Sequence, residues 1–242
     1  MQVITNTKII ENRSKWAKRL SPIAMLALLG GFFLNLYTIM YTINQPEYTQ
    51  YIFGLLMIGL VLSMFSSNLV NRWVREPRSD QAFSNTLKKF EKDYYLFNYT
   101  GPAPHILLTP TRLYVLVAKR QTGQVTVKGD RFQQKFSWTR LFRFFGDEGL
   151  GVPVAEAENG VRKLQKFLSK NLTDQELPEI KPLIVFINQV ELVVQAPSPV
   201  PAMRSNELKS FLRENNRQRV ISAPQRAALV KIIGGDYQSE TA

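Results

Sequence analysis

The stretch RLYVLVAK (residues 112–119) is apolar enough to be a buried strand, yet it ends on a lysine. An ammonium is costly to bury without a partner, so a strand that carries Lys119 to its end is delivering it to a site. No acidic residue stands near it in the sequence to pair with it. The rest of the chain narrows the chemistry on offer. One histidine, His105, and no cysteine exclude ordinary zinc centres and a Cys–His pair. Neither G-x-x-x-x-G-K-[ST] nor G-x-G-x-x-G occurs, so phosphate loops of those types are absent. A Ser–His–Asp triad would have to use His105, and nothing around it reads as a nucleophile elbow.

The elements that would position Lys119 follow from periodicity. HILLTP (105–110) and RLYVLVAK read as short strands joined at Pro110 and Thr111, with QVTVKG as a third strand after Gly123. The three are expected to form an antiparallel meander. Residues 80–95 carry Phe83, Leu87, Phe90 and Tyr94 at helical spacing, with Asp80 at the start. Residues 153–170 form the clearest soluble helix, with Val161, Leu164, Phe167 and Leu168 on one stripe and Arg162, Lys163, Lys166 and Lys170 in water. PLIVFIN (182–188) reads as a buried strand with ELVVQA (191–196) as its neighbour. Helices follow at 205–215, opening on Ser205, and at 222–235, ending at glycines. The order α-β-β-β-α-β-β-α-α describes a mixed-sheet α/β domain. The aromatic stretch 132–145, with Trp138, Phe142 and Phe145, has two readings: a core-facing segment, or a patch resting on a bilayer with Arg140 and Arg143 at the headgroups.

The N-terminal third differs in kind. Residues 20–46 and 48–71 contain no charged side chain and are separated only by Glu47. Each run exceeds the ~20 residues that cross a bilayer's hydrocarbon core. Spans at 22–43 and 49–70 are expected, with Trp16, Tyr41, Tyr48, Tyr51 and Trp73 at the interfaces. Lysines and arginines flank both outer ends while the connector NQPEY has none, so both termini are expected on the cytoplasmic side of a multi-pass cell-membrane protein. The expected division is a basic N-terminus (1–21), a transmembrane helical hairpin (22–71), a basic tether (72–79) and an α/β domain (80–242). From residue 72 onward the chain has 26 Lys and Arg against 17 Asp and Glu. That balance favours nucleic acid or anionic lipid, or is simply the basic character of a membrane protein's inner side.

The run PHILLTPTRLYVLVAKRQTG (104–123) resembles the core of the nuclease-related domain (NERD), a branch of the PD-(D/E)XK nuclease superfamily. In that family an aspartate begins the first strand of a hairpin, often followed by histidine, and the second strand ends in E-x-K before a glycine. VPVAEAENGVRKLQKFL (152–168) resembles the family's helix after an N-P-x-x-Q-like start, so the resemblance covers roughly 80–235 and implies a restriction-endonuclease-like fold. The spacing of E-x-K has a physical basis, because alternate residues of a strand face one side. A glutamate at i and a lysine at i+2 then share a pocket, where two carboxylates hold Mg²⁺ and the lysine orients the attacking water.

Against that template Lys119 stands at the lysine position and His105 follows the aspartate position. Val117 occupies the glutamate position and Pro104 the aspartate position, and neither side chain binds a metal. Asp80 corresponds to an acidic residue of the leading helix, while Asp130 and Gln121 lie off the family's spacing. The resemblance therefore implies a degenerate nuclease site with no cofactor and no intact catalytic residue, Lys119 being its remnant or else a lysine that snorkels to solvent. The expected function is a binding or scaffold module at the cytoplasmic membrane face. Its nucleic-acid-binding candidates are Arg112, Lys119, Arg120, Lys128 and Arg131. Two alternatives stand beside it: an Mg²⁺ nuclease with relocated carboxylates such as Asp130, Glu156 or Glu158, and a membrane protein that binds a protein partner or lipid.

Overall fold

The computed structural model describes residues 1–41, 46–90, 93–135, 149–172, 177–216, 218, 220–235, 237 and 239–241. These divide into two compact units, one within residues 8–78 and the other within residues 1–7, 79–135 and 149–241.

The first unit is a helical hairpin. Helix α1 (Thr7–Tyr41) runs through Pro22, and helix α2 (Pro46–Trp73) opens on a proline that needs no backbone donor there. Both are long and apolar enough to cross a membrane, with a mean hydropathy of 1.9 over their most apolar stretches. Small residues let the helices pack backbone to backbone. A Cβ on Gly59 would stand 2.9 Å from Leu28 N, and one on Gly31 would stand 3.2 Å from the Leu56 side chain. The basic N-terminus expected over 1–21 is mostly the first four turns of α1. The span's signal, absence of charge, does not report where a helix starts.

The second unit is the α/β domain, and its chain is discontinuous. Strand β1 (Gln2–Thr5) precedes the hairpin, and the domain resumes at helix α3 (Ser79–Leu87). Then follow β2 (Tyr95–Asn98), β3 (His105–Leu108), β4 (Leu113–Lys119), β5 (Gly123–Lys128), β6 (Arg131–Gln134) and helix α4 (Pro153–Asn171). After them come β7 (Ile180–Phe186), β8 (Val190–Ala196), β9 (Ala202–Arg204), α5 (Leu208–Asn215), α6 (Ala223–Gly234) and β10 (Ser239–Thr241). Seven strands make a mixed sheet in the order β10-β1-β2-β3-β4-β7-β9, and β6-β5-β8 make a second sheet.

Alternation along the central strands feeds a core on each face of the large sheet. Leu96, Leu107, Tyr114 and Leu116 pack with Phe83 and Leu87 of α3 and Leu208 and Leu212 of α5. Their neighbours Phe97, Ile106, Leu113 and Val115 pack with Leu164 and Leu168 of α4 and Leu229 and Ile233 of α6. Helix α4 packs tightly on the sheet at Gly160, where Val115 Cγ1 would lie 2.8 Å from an added Cβ. The second sheet joins at the α4 end, with Phe132 stacked 6.5 Å from Phe186.

Four sequence expectations are corrected here. The helix expected over 80–95 stops at Leu87 and strand β2 begins at Tyr95; Phe90 and Tyr94 do pack on the same core, from a turn rather than from a helix. The expected meander ends after two strands, because β5 pairs with β8 and β6 rather than with β4. Likewise β8 is not the neighbour of β7, which lies between β4 and β9. Ser205 does not cap α5: Glu207 occupies that position, and the Ser205 amide donates to Phe186 O. By contrast Ser222 caps α6 and accepts from the Gln225 amide. Most of the aromatic stretch 132–145, including Trp138, Phe142 and Phe145, lies outside the described residues; Phe132 is a buried residue of β6.

Candidate functional site: a sealed strand end

The hairpin of β3 and β4 fixes which residues face one another. Ile106 pairs with Val115 and Leu107 with Tyr114, so continuing that register sets Pro104 opposite Val117. Val117 and Lys119 are two residues apart on β4 and share the face covered by α4. The three positions that the resemblance compares with two carboxylates and a lysine are thus in geometric register here, and two of them hold proline and valine.

Lys119 is buried, with its side chain 7% exposed. It does not snorkel to solvent. Its Nζ donates to Glu156 Oε1 and Oε2, each at 2.8 Å, and to Leu150 O at 2.9 Å. An ammonium has three protons, and three acceptors surround this one. Glu156 comes from the first turn of α4, whose Pro153 start fixes the helix direction. Leu150 comes from the loop before it. Gly151 in that loop adopts φ 61°, and a Cβ there would sit 2.5 Å from Glu156 Oε1. Only glycine both tolerates this backbone and leaves room for the carboxylate.

His105 is nearby in sequence but lies on the other face of the sheet, with Leu107 and α3. Its Nδ1 lies 2.8 Å from Asn98 Oδ1 and its Nε2 2.8 Å from Ser79 Oγ. Asn98 donates its amide to Thr5 Oγ1, which leaves Oδ1 as the acceptor for Nδ1–H. In the neutral ring Nε2 then accepts from the Ser79 hydroxyl, and Ser79 accepts from Tyr99, 3.1 Å away. This Ser–His–Asn line has the connectivity of a hydrolytic triad. All three residues are buried, however, and the Phe83 and Tyr99 rings pack edge-on at 5.0 Å from the imidazole. The line ties β1, β2, β3 and α3 together inside the core.

The remaining sequence candidates are dispersed. Arg112 precedes β4 and pairs with Glu179 at 2.8 Å, at the opposite end of the strand from Lys119 and about 23 Å away by strand rise. Arg120 follows Lys119 and is half-buried. Lys128 and Arg131 face each other across the tip of the second sheet, where Asp130 is exposed. Glu158 is exposed on α4, and Asp80 is buried at the start of α3, whose helix packs on the His105 face. Gln121 is buried beyond the end of β4.

Mg²⁺ does not fit the residues present. It requires oxygen ligands in near-octahedral array, and the one carboxylate at Lys119 is already spent on the ammonium. Among the described residues no group of three His, Asp or Glu side chains could hold a metal ion. Sequence reasoning named Glu156 as a relocated carboxylate but missed its pairing with Lys119. The signal was present: in VPVAE, Glu156 stands at the last position of the N-P-x-x-Q-like start.

Residues 70–187 match the family model described as NERD, nuclease-related domain. No curated protein and no solved structure matches the chain. The match begins in α2, spans the β3–β4 hairpin and the Lys119–Glu156 pair, and ends just after β7. Over that segment, a little under half of the chain, the protein is therefore similar to nuclease-related domains.

Proposed function

We propose that the protein is a membrane-anchored nuclease-related module that does not hydrolyse phosphodiesters and acts as a binding or scaffold module at the cytoplasmic membrane face. One observation carries the reading: every proton of the Lys119 ammonium is taken by Glu156 and Leu150, while Val117 and Pro104 stand where metal-holding carboxylates would be. Such a lysine has no donor left for a water or a phosphate oxygen.

The anchoring half of the reading is supported by chain connectivity. Strand β1 precedes the two apolar helices and pairs with β2, which follows them. If both helices cross a bilayer, β1 and the rest of the domain lie on one side, as an even number of crossings requires. The lysines and arginines flanking the outer ends favour the cytoplasmic side.

The test is a nuclease assay on the full chain in lipid nanodiscs, with Mg²⁺ or Mn²⁺ and single- and double-stranded DNA, beside Lys119→Ala. The expected result is no metal-dependent cleavage by either protein. Cleavage by the parent that Lys119→Ala abolishes would refute the reading and restore the relocated-carboxylate nuclease, with Glu156 as its first ligand.

A further inference from the structure

Helix α4 has a second face that the Lys119 site does not use. Its inner stripe, Val154, Ala157, Leu164 and Leu168, is buried on the sheet. Its outer face carries Arg162, Lys163, Lys166 and Lys170, all exposed. None of the four enters an ion pair among the described residues. The helix's two acids, Glu156 and Glu158, precede them, and Glu156 is held by Lys119. Arg162, Lys166 and Lys170 recur every fourth residue, so the charges form a row about 12 Å long.

We propose that this row docks the domain onto anionic lipid headgroups. The inference rests on the membrane reading above and adds to it the docking face and the chemistry of its partner. A domain fastened to a bilayer meets headgroups at a high effective concentration, which a dissolved polyanion does not match. The surface chemistry agrees, because the exposed residues of α4 other than Ala155, Glu156 and Glu158 are basic or uncharged polar, and none carries an aromatic ring on which a nucleic-acid base could stack. The contact is therefore one of charge alone, suited to a plane of phosphates.

The chain has no cysteine, so Ser169→Cys on this face takes a single fluorophore. The full chain would be placed in nanodiscs of phosphatidylcholine, with or without phosphatidylglycerol, containing lipids with a headgroup quencher. Quenching is expected in the anionic discs only, and it should fall to the neutral-disc level in about 0.5 M salt, where the Debye length is only a few ångström. Each of Arg162→Gln, Lys163→Gln, Lys166→Gln and Lys170→Gln should lower the ratio of docked to free domain roughly 5-fold, and the quadruple variant a few-hundred-fold. Equal quenching in both disc types, or a quadruple variant that behaves as the parent, overturns the proposal. So does release of the label by a short DNA duplex at low concentration, which would assign the face to nucleic acid. Retention of the chain in discs after alkaline carbonate separates the two levels. A chain that washes out refutes the membrane reading and the docking with it, and one that stays without quenching refutes the docking alone.

Discussion

Removing the two partners of the Lys119–Glu156 pair one at a time should have unequal effects. Lys119 is 7% exposed and Glu156 48% exposed. Glu156→Gln strands a buried ammonium with one carbonyl and one amide oxygen as acceptors. Breaking a fully buried pair in this way costs about 3–5 kcal/mol. Water reaches the half-exposed Glu156 side, which lowers the expected cost to about 1–2 kcal/mol. For a chain of this size that is a fall in Tm of about 2–8 °C. Lys119→Met instead leaves a carboxylate that turns to solvent, and its unbranched apolar side chain fills the vacated channel beside Val117. Its cost should be about 0.5 kcal/mol or less, and the double variant should resemble Lys119→Met rather than the sum of the two. Thermal unfolding of the full chain in detergent, followed by circular dichroism, reads the difference. A Lys119→Met protein that loses as much stability as Glu156→Gln would refute the claim that burial of the ammonium sets the cost.

Other expectations concern the elements around the site. Gly151→Ala should lower Tm by several degrees, since an alanine at φ 61° costs about 1–2 kcal/mol and its Cβ would displace the Glu156 carboxylate. A truncated chain of residues 79–242 should fail to give a cooperative unfolding transition, because it lacks β1 and bares the edge of β2. Joining residues 1–6 to it by a flexible glycine–serine linker should restore that transition, and equal folding without residues 1–6 would disprove the role given to β1. Burial raises the Tyr114 phenol above its ordinary pKa, only partly offset by the Asn216 side chain and Arg112 beside it. In the unfolded chain this phenol ionises near pH 10, so its contribution to stability is present below that pH and lost as pH rises through the higher folded value. Denaturant titrations should show that loss in the parent and a smaller one in Tyr114→Phe.

Local signals were legible where one element explains itself. The 153–170 periodicity gave α4, Ser222 sits at the cap of α6, and the apolar runs within 105–119 gave β3 and β4 almost to the residue. What the sequence hid was set by distant partners. Strand β1 is four residues long and is a strand only because β2, some ninety residues later, and β10 flank it. Phe90 and Tyr94 keep the helical spacing begun at Phe83, so the helix reads on past the point where β2 must begin. Val125 and Val127 alternate as any half-buried strand does, and alternation does not say which sheet receives them. In the same way Lys119 reads as partnerless in the sequence because Glu156 follows it by 37 residues.

That separation bears on what the lysine does. An ammonium at this strand end would cost several kcal/mol if buried alone. With valine and proline at the flanking positions, strand β4 and its partner β3 supply no counter-charge. The counter-charge comes from a different layer, at the start of α4, and it arrives only when the loop through Leu150 and Gly151 has folded over the strand end. Lys119 thus joins the sheet to the helix and the loop that cover it, and its three donors are consumed in doing so. On the function proposed above, the same contacts that make the pair a structural tie remove it from chemistry. A mutation that freed the ammonium for a ligand would also detach the first turn of α4, and stability and reactivity at this position should therefore change in opposite directions.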